Sequence, residues 1–340
     1  MEVLSPVLSQ PVELKLPPAF EPLFRNPHML TIAGNFWPRR IDEGRFPAIR
    51  REYRIDPRTT IVAFEHQPEA APRGQIVFLH GLEGSAAAGY IVSFAQEALQ
   101  RGYGAHRLNL RTCGDTEELC ETMYHSGLTG DTKLILERLK ERALGPVFLV
   151  GFSLGGNVAL KLAGELGQSE LLAGVCAIST PIDLAACVRT IDKPSNFLYA
   201  RRFLSRLRDR VRRKSELTPH LYRTDGLDDI RTIWEFDDLF TAPLFGFGTA
   251  ENYYATQSAL RYLDAIRIPT IVICAQDDPL VPFEIYGQPA FRSNPALTLL
   301  ATKKGGHLGF LARHKPRFWL DHTALDWIDK RAQELTDPGP

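Results

Sequence analysis

From residue 75 onward, short runs of β-branched and aromatic residues alternate with segments of helical spacing. Gln75–Leu79 reads QIVFL, a strand with no polar face, and Ala88–Leu99 behind it is helical in pattern. Ala105–Leu110 is a second strand. Thr129–Ala143 follows, with Leu134, Leu136, Leu139 and Ala143 near helical spacing. Pro146–Val150 leads into helix-compatible Leu154–Leu166. Gly174–Ser179, Pro269–Ala275 and Leu297–Ala301 are further strands, and Pro316–Lys330 is a final helix. Strands apolar on both faces need cover on both sides, so this alternation predicts an α/β fold with a mostly parallel sheet. Arg50–Ile55 and Thr59–Glu65 bring the strands to about eight.

The alternation stops between 181 and 265. That stretch holds helical Asn196–Leu217 and a loop-rich Thr241–Asn252. It reads as a helical cap inserted into a core of residues 49–180 and 266–335. Residues 1–48 contain eight prolines. Proline lacks a donor and fixes φ, so this is expected to be an extended arm, not a helix or central strand, anchored by Phe20, Phe24, Phe36 and Trp37. The 340 residues therefore read as one domain enlarged by an arm and a cap.

Composition narrows the partners. Forty Lys+Arg balance 40 Asp+Glu, which argues against nucleic acid as the main partner. No apolar run approaches the ~20 residues of a spanning helix, and the N-terminus lacks a secretory pattern. The five cysteines are odd in number and form no C-x-x-C pair, so they read as reduced thiols of a cytoplasmic protein. No H-E-x-x-H, G-x-G-x-x-G after a strand, or G-x-x-x-x-G-K-[ST] occurs, so neither metal nor cofactor is expected.

The sharpest motif is Gly151-Phe152-Ser153-Leu154-Gly155, between a buried strand and a helix. A serine nucleophile must stand exposed on a tight strand-to-helix turn, and flanking glycines avoid clashes there. The serine needs a base. His307 lies after the last strand, in Gly305-Gly306-His307-Leu308-Gly309, where open α/β sheets place their sites. The base needs an orienting carboxylate, and Asp277-Asp278-Pro279-Leu280-Val281-Pro282 follows a strand. Asp278 fits the D-x-L-V-P spacing and Asp277 is the alternative. Either aspartate also suits a helix N-cap role. The order Ser153…Asp278…His307 is that of the α/β-hydrolase fold. Oxyanion donors are expected from the backbone amides of Leu154 and of Leu82, in the loop His80–Ser85. His80 reads as a brace for that loop.

Together FLHGLEGS, RTCGD with YHSGLTGD, VGFSLGGN, ICAQDDPLVP and GGHLGF resemble the YheT-like branch of the α/β hydrolases. Asn26-Pro27-His28-Met29-Leu30-Thr31-Ile32 looks like that branch's arm motif. The resemblance covers about residues 20 to 330. It implies a serine esterase of carboxylic esters or lipids, with Ser153, Asp278 and His307 as charge-relay residues. One departure is visible: the branch usually has an Arg-Gly pair where this chain has Arg111-Thr112-Cys113-Gly114. The rival readings are an acyltransferase with the same acyl-enzyme and a non-catalytic binding protein on the same fold.

The cap segment is charge-segregated. Residues 200–216 carry eight basic and two acidic side chains, while 225–238 carry one basic and six acidic. Ala200, Leu204, Leu207 and Val211 form an apolar stripe among the arginines. Such a helix can lie on an anionic membrane, but the acidic block favours packing on the body with local charge pairing. His220…Asp225 fits H-x-x-x-x-D, an acyltransferase-associated string that one chance match explains. Phe240, Phe245, Phe247, Tyr253 and Tyr254 suit an acyl pocket and cap core equally.

Overall fold

A computed structural model of the chain describes residues 20–336. Its strands are β1 Ile49–Asp56, β2 Thr59–His66, β3 Gln75–Leu79, β4 Gly104–Leu108, β5 Val147–Phe152, β6 Gly174–Ile178, β7 Thr270–Ala275 and β8 Leu297–Thr302. They make one sheet in the order β1-β2-β4-β3-β5-β6-β7-β8. β2 runs antiparallel to β1 and β4, and all other pairings are parallel. β1, the outer strand, carries exposed Arg50, Arg51 and Glu52, the kind of charge that keeps an open sheet edge from pairing with another chain.

The period of two along each strand sorts the core into two layers. Val77, Leu79, Leu149, Val175 and Val272 face one side, under α3 Gly130–Glu141 and α4 Leu154–Leu166. Ile76, Phe78, Phe148, Val150 and Ile271 face the other, under α2 Gly89–Gln100 and the final helix Trp319–Thr336. That last helix begins three residues later than the pattern Pro316–Lys330 predicts. Leu311 and Phe318 first bridge as extended chain, and the helix then runs on to Thr336.

The expected extended arm is corrected at Pro27–Phe36, which is a helix, α1. Proline is harmless in a first turn, where its missing N–H has no intrahelical partner and its φ already suits the helix. Asn26 caps it by accepting the amides of His28 and Met29. Phe20 does anchor the arm, against Phe310 and Trp319, whereas Phe36 is 65% exposed and meets only the Arg202 guanidinium among the described residues. Residues 1–19 lie outside the described residues.

Residues 181–265 add no strand. They hold α5 Leu184–Ile191, α6 Phe197–Leu217 and shorter helical pieces. The expected loop-rich Thr241–Asn252 is partly helical: Ala242–Leu244 and Ala250–Gln257 are helices, the second capped by Thr249. Leu204, Leu207 and Val211 of α6 join Ile233, Phe236, Tyr253 and Tyr254 in a third apolar cluster. Three of the eight basic side chains of α6 are ion-paired: Arg210 with Glu83 and Glu117, Arg212 with Asp209 and Asp228, Arg213 with Glu118 and Glu216. Tyr222 and Tyr253 hydroxyls accept the amides of Met123 and Ser126, and Asn196 donates to the Pro279 carbonyl. The segment thus lies over loops that leave β4 and β7. Among the described residues, no helix is long and apolar enough to cross a membrane.

Candidate active site

Ser153 sits where β5 ends and α4 begins, with φ 53° and ψ −122°. A non-glycine residue there carries strain of ~1–3 kcal/mol, which its surroundings must hold in place. Its amide donates to the Ile178 carbonyl at 2.8 Å. The flanking glycines permit the turn by their lack of bulk. A Cβ on Gly151 would stand 2.2 Å from the Gly155 carbonyl oxygen, and one on Gly155 2.5 Å from that of Leu79.

Ser153 Oγ lies 3.0 Å from His307 Nε2, and His307 Nδ1 lies 2.8 Å from Asp278 Oδ2. The chain is nearly dry, with the Asp278 side chain 2% exposed and that of His307 11%. With the imidazole neutral, Nδ1–H donates to the carboxylate and Nε2 is free to accept the serine proton. The other oxygen of Asp278 accepts the amides of Leu280 and Val281, so the residue also caps its own turn. Asp277 does not reach the imidazole. It accepts the amide of Gly306 and lies 3.6 Å from the Lys304 ammonium.

The loop His80–Ser85 lies against the serine. A Cβ on Gly81 would stand 3.0 Å from Ser153 Cβ. His80 donates from Nδ1 to the Gly81 carbonyl and accepts the Leu110 amide at Nε2. Burial pushes its pKa down to about 4, against a smaller opposing pull from that carbonyl, so the ring is neutral and structural. The Tyr124 hydroxyl accepts the Glu83 amide and donates to the Glu83 carboxylate, which Arg210 of α6 grips at 2.8 Å. Among the described residues, the amides of Leu82 and Leu154 donate to nothing. Leu154 opens α4, so its N–H points toward incoming negative charge. Thr112 takes φ 62°, while Arg111 makes a bidentate pair with Asp131.

Several contributors carry weaker sequence signals. Thr31 of α1 accepts the His307 amide at 2.9 Å, so the arm positions the base. Gly34 lets α1 approach closely, since a Cβ there would stand 2.7 Å from Gly309 Cα. Asn157 of α4 is fully buried, donates to the Ser126 and Gln257 carbonyls and accepts the Ala259 amide. A polar residue one turn past the serine, inside the apolar LGGNVALKLAGEL, is the signal that marks it.

Two cavities meet at His307 and Leu82. The inner, of about 90 Å³, is apolar and lined by Leu184, Val188, Leu207, Phe236, Tyr253 and Tyr254, with Ser153 at one end. Its polar lining includes His125, Ser126 and Asp237; Thr241 and Tyr254 donate to the Asp237 carboxylate, and desolvation pushes its pKa up to about 6 despite those donors. Phe240 instead stacks on Phe236, and Phe245 and Phe247 pack on His125. The outer cavity, of about 630 Å³, opens between α1 and α6 and reaches His307. His220 stands apart on the surface against Glu121.

A strand-end serine hydrogen-bonded to a histidine on this sheet is the arrangement of an α/β hydrolase, and residues 74–313 match the family model described as alpha/beta hydrolase fold. The chain belongs to that family, in a branch of esterase and lipase type. YheT of Escherichia coli K12, which carries an esterase name, is 32% identical over 78% of this chain and 79% of its own length. The monoacylglycerol lipase of Saccharomyces cerevisiae is 29% identical over 78% of this chain, which spans 61% of that relative. In fold, the esterase Pf2001 of Pyrococcus furiosus superposes with a TM-score of 0.56 at 16% identity, over 92% of this chain and 97% of that one.

Proposed function

We propose that the protein hydrolyses carboxylic esters with an apolar acyl group through an acyl-enzyme on Ser153. The observation that carries this reading is the hydrogen-bonded chain Ser153–His307–Asp278. His307 Nε2 takes the hydroxyl proton as Ser153 Oγ attacks the ester carbonyl. Asp278 holds the tautomer and stabilises the imidazolium. The carbonyl oxygen, now an anion, lies on the free amides of Leu82 and Leu154; each such donor is worth ~10²–10³ in rate. The tetrahedral intermediate collapses, and the alcohol leaves with the proton from His307. Water then repeats the sequence, with His307 as base, and releases the acid.

The acyl chain occupies the inner cavity and the alcohol portion the outer one. Residues 181–265 act as the cap that walls the acyl side, because Leu184, Leu207, Phe236 and Tyr254 all come from it. A lipid ester fits this division, with its chain in the apolar end and its head group toward the open mouth. The esterase and lipase names among the relatives point the same way. The mouth also admits an alcohol acceptor, in which case the same acyl-enzyme serves transfer.

A fluorophosphonate probe tests the reading. Folded wild-type protein is expected to be labelled at Ser153, and Ser153→Ala to lose both labelling and at least ~10³ of p-nitrophenyl ester turnover with its melting temperature unchanged. An absent adduct in folded protein overturns it. An ester panel of graded acyl length, with Ser153→Ala as control, then reads the depth of the inner cavity.

A further inference from the structure

Among the described residues, eight large apolar side chains are exposed, and five of them stand on two helices: Met29, Ile32 and Phe36 on α1, Phe197 and Leu198 at the start of α6. The remaining three sit on separate elements. Along α1 the exposed positions 29, 32 and 36 form one stripe, while Leu30, Thr31 and Gly34 face inward. The two helices are held side by side. His28 stacks on Tyr199 and hydrogen-bonds its hydroxyl at 3.2 Å, and the Arg202 guanidinium lies 5.4 Å from the Phe36 ring centre.

Position and charge both select the partner. Ile32, Phe36, Tyr199 and Arg202 line the open mouth of the outer cavity, whose inner wall includes His307. Exposed Arg25, Lys193 and Arg201 border the patch and have no acidic partner among the described residues. Farther along α6, by contrast, Arg210, Arg212 and Arg213 pair with the protein's own carboxylates, and Arg206, Arg208 and Lys214 donate to backbone carbonyls. Within α6, basic side chains with neither a carboxylate nor a carbonyl partner among the described residues, Arg201 and Arg202, thus lie at the end that also exposes Phe197 and Leu198.

We propose that this face docks on an anionic phospholipid bilayer. Its five apolar side chains enter the acyl-chain boundary while Arg25, Lys193 and Arg201 meet lipid phosphates, the division of labour of interfacial anchors. The membrane contact therefore belongs to α1 and the first turns of α6, and the long basic stripe of α6 takes no part. Docking seals the mouth against the bilayer, so a lipid reaches Ser153 without crossing water. Only this last consequence rests on the ester-hydrolase reading.

The test is flotation of the full chain with vesicles of phosphatidylcholine and phosphatidylglycerol, three to one. Wild-type protein is expected to float at low salt and to be released as salt screens the phosphates. The variant Met29→Ser/Phe197→Ser/Leu198→Ser, none of whose positions lines either cavity, is expected to lose roughly tenfold or more of the bound fraction. Its turnover of soluble p-nitrophenyl butyrate stays within about twofold of wild type. A full chain that stays unbound overturns the proposal, as does a triple variant that floats like wild type. So does a dimer that the triple variant splits, or binding that appears only after residues 1–19 are removed; each names another occupant of the patch. Protein that floats but neither hydrolyses esters nor takes the probe sinks the hydrolase reading and leaves docking standing. Protein that hydrolyses but never floats does the reverse.

Discussion

The strand-end loops and the 181–265 segment meet at the same serine but are held by different means. Ser153, Asp278 and His307 are positioned by hydrogen bonds from main-chain amides past the carboxyl ends of parallel strands: Ser153 to the Ile178 carbonyl, Leu280 and Val281 to the Asp278 carboxylate, His307 to the Thr31 hydroxyl. The 181–265 segment is held by side chains, through its apolar cluster and through pairs such as Arg210–Glu83. Amide bonding gives Ser153, His307 and Asp278 one geometry. Side-chain packing leaves the wall of the inner cavity free to differ between proteins of the same fold.

The comparison is broken most severely at Asp278. Asp278→Asn is expected to lower kcat by ~10³–10⁴, because the histidine loses its tautomer and orientation. Asp277→Asn, whose carboxylate holds the Gly306 amide and faces Lys304 but not the imidazole, should cost no more than about tenfold. Equal losses in the two variants would show that sequence position alone, and not the contact to His307, matters. Next in size is Arg210→Ala, which leaves the Glu83 carboxylate buried without its cation. A loss of about 3–5 kcal/mol is expected in denaturant unfolding. Arg212→Ala, at an exposed pair, should stay within about 0.5 kcal/mol.

Two smaller effects sharpen the strand-end side. Thr31→Val removes the acceptor of the His307 amide, so kcat should fall roughly tenfold with little change in KM. His80 makes stability depend on pH. Its folded pKa of about 4 lies below the unfolded value of ~6.5, so the unfolded chain binds more protons between them. The contribution is whole above about pH 6.5 and is lost as pH falls toward 4. Lowering the pH from about 7.5 to 5.5 costs about 1.4 kcal/mol through this group. Unfolding measured across that window should decline less steeply, by about that amount, in His80→Asn.

The sheet was legible because its evidence is local. Runs such as QIVFL and VFLVGF state their own burial, and each reacting residue lies just past such a run. Ser153 and His307 stood out through glycines on both sides. For the aspartate, the D-x-L-V-P spacing favours Asp278 and leaves Asp277 open, since the two share one loop and differ only in direction. Nor did the arm read correctly, because proline density hides that Pro27 occupies the one helical turn that tolerates it. Among the aromatic residues of 181–265, Tyr253 and Tyr254 wall the inner cavity while Phe245 and Phe247 cover His125, a division set by neighbours far off in the chain.

By itself the sequence determined the layered α/β architecture, the order serine–aspartate–histidine and the strand ends that carry them. Periodicity and turn chemistry act over a few residues, and a single strand or loop holds that information. Only the tertiary structure decided which carboxylate faces His307, that Thr31, 276 positions away, supports it, and which helix faces border the mouth. Those outcomes depend on where side chains from separate elements meet after the sheet has assembled. No local spacing encodes a contact between α1 and the loop after β8, because the close approach of Gly34 to Gly309 exists only once both are packed.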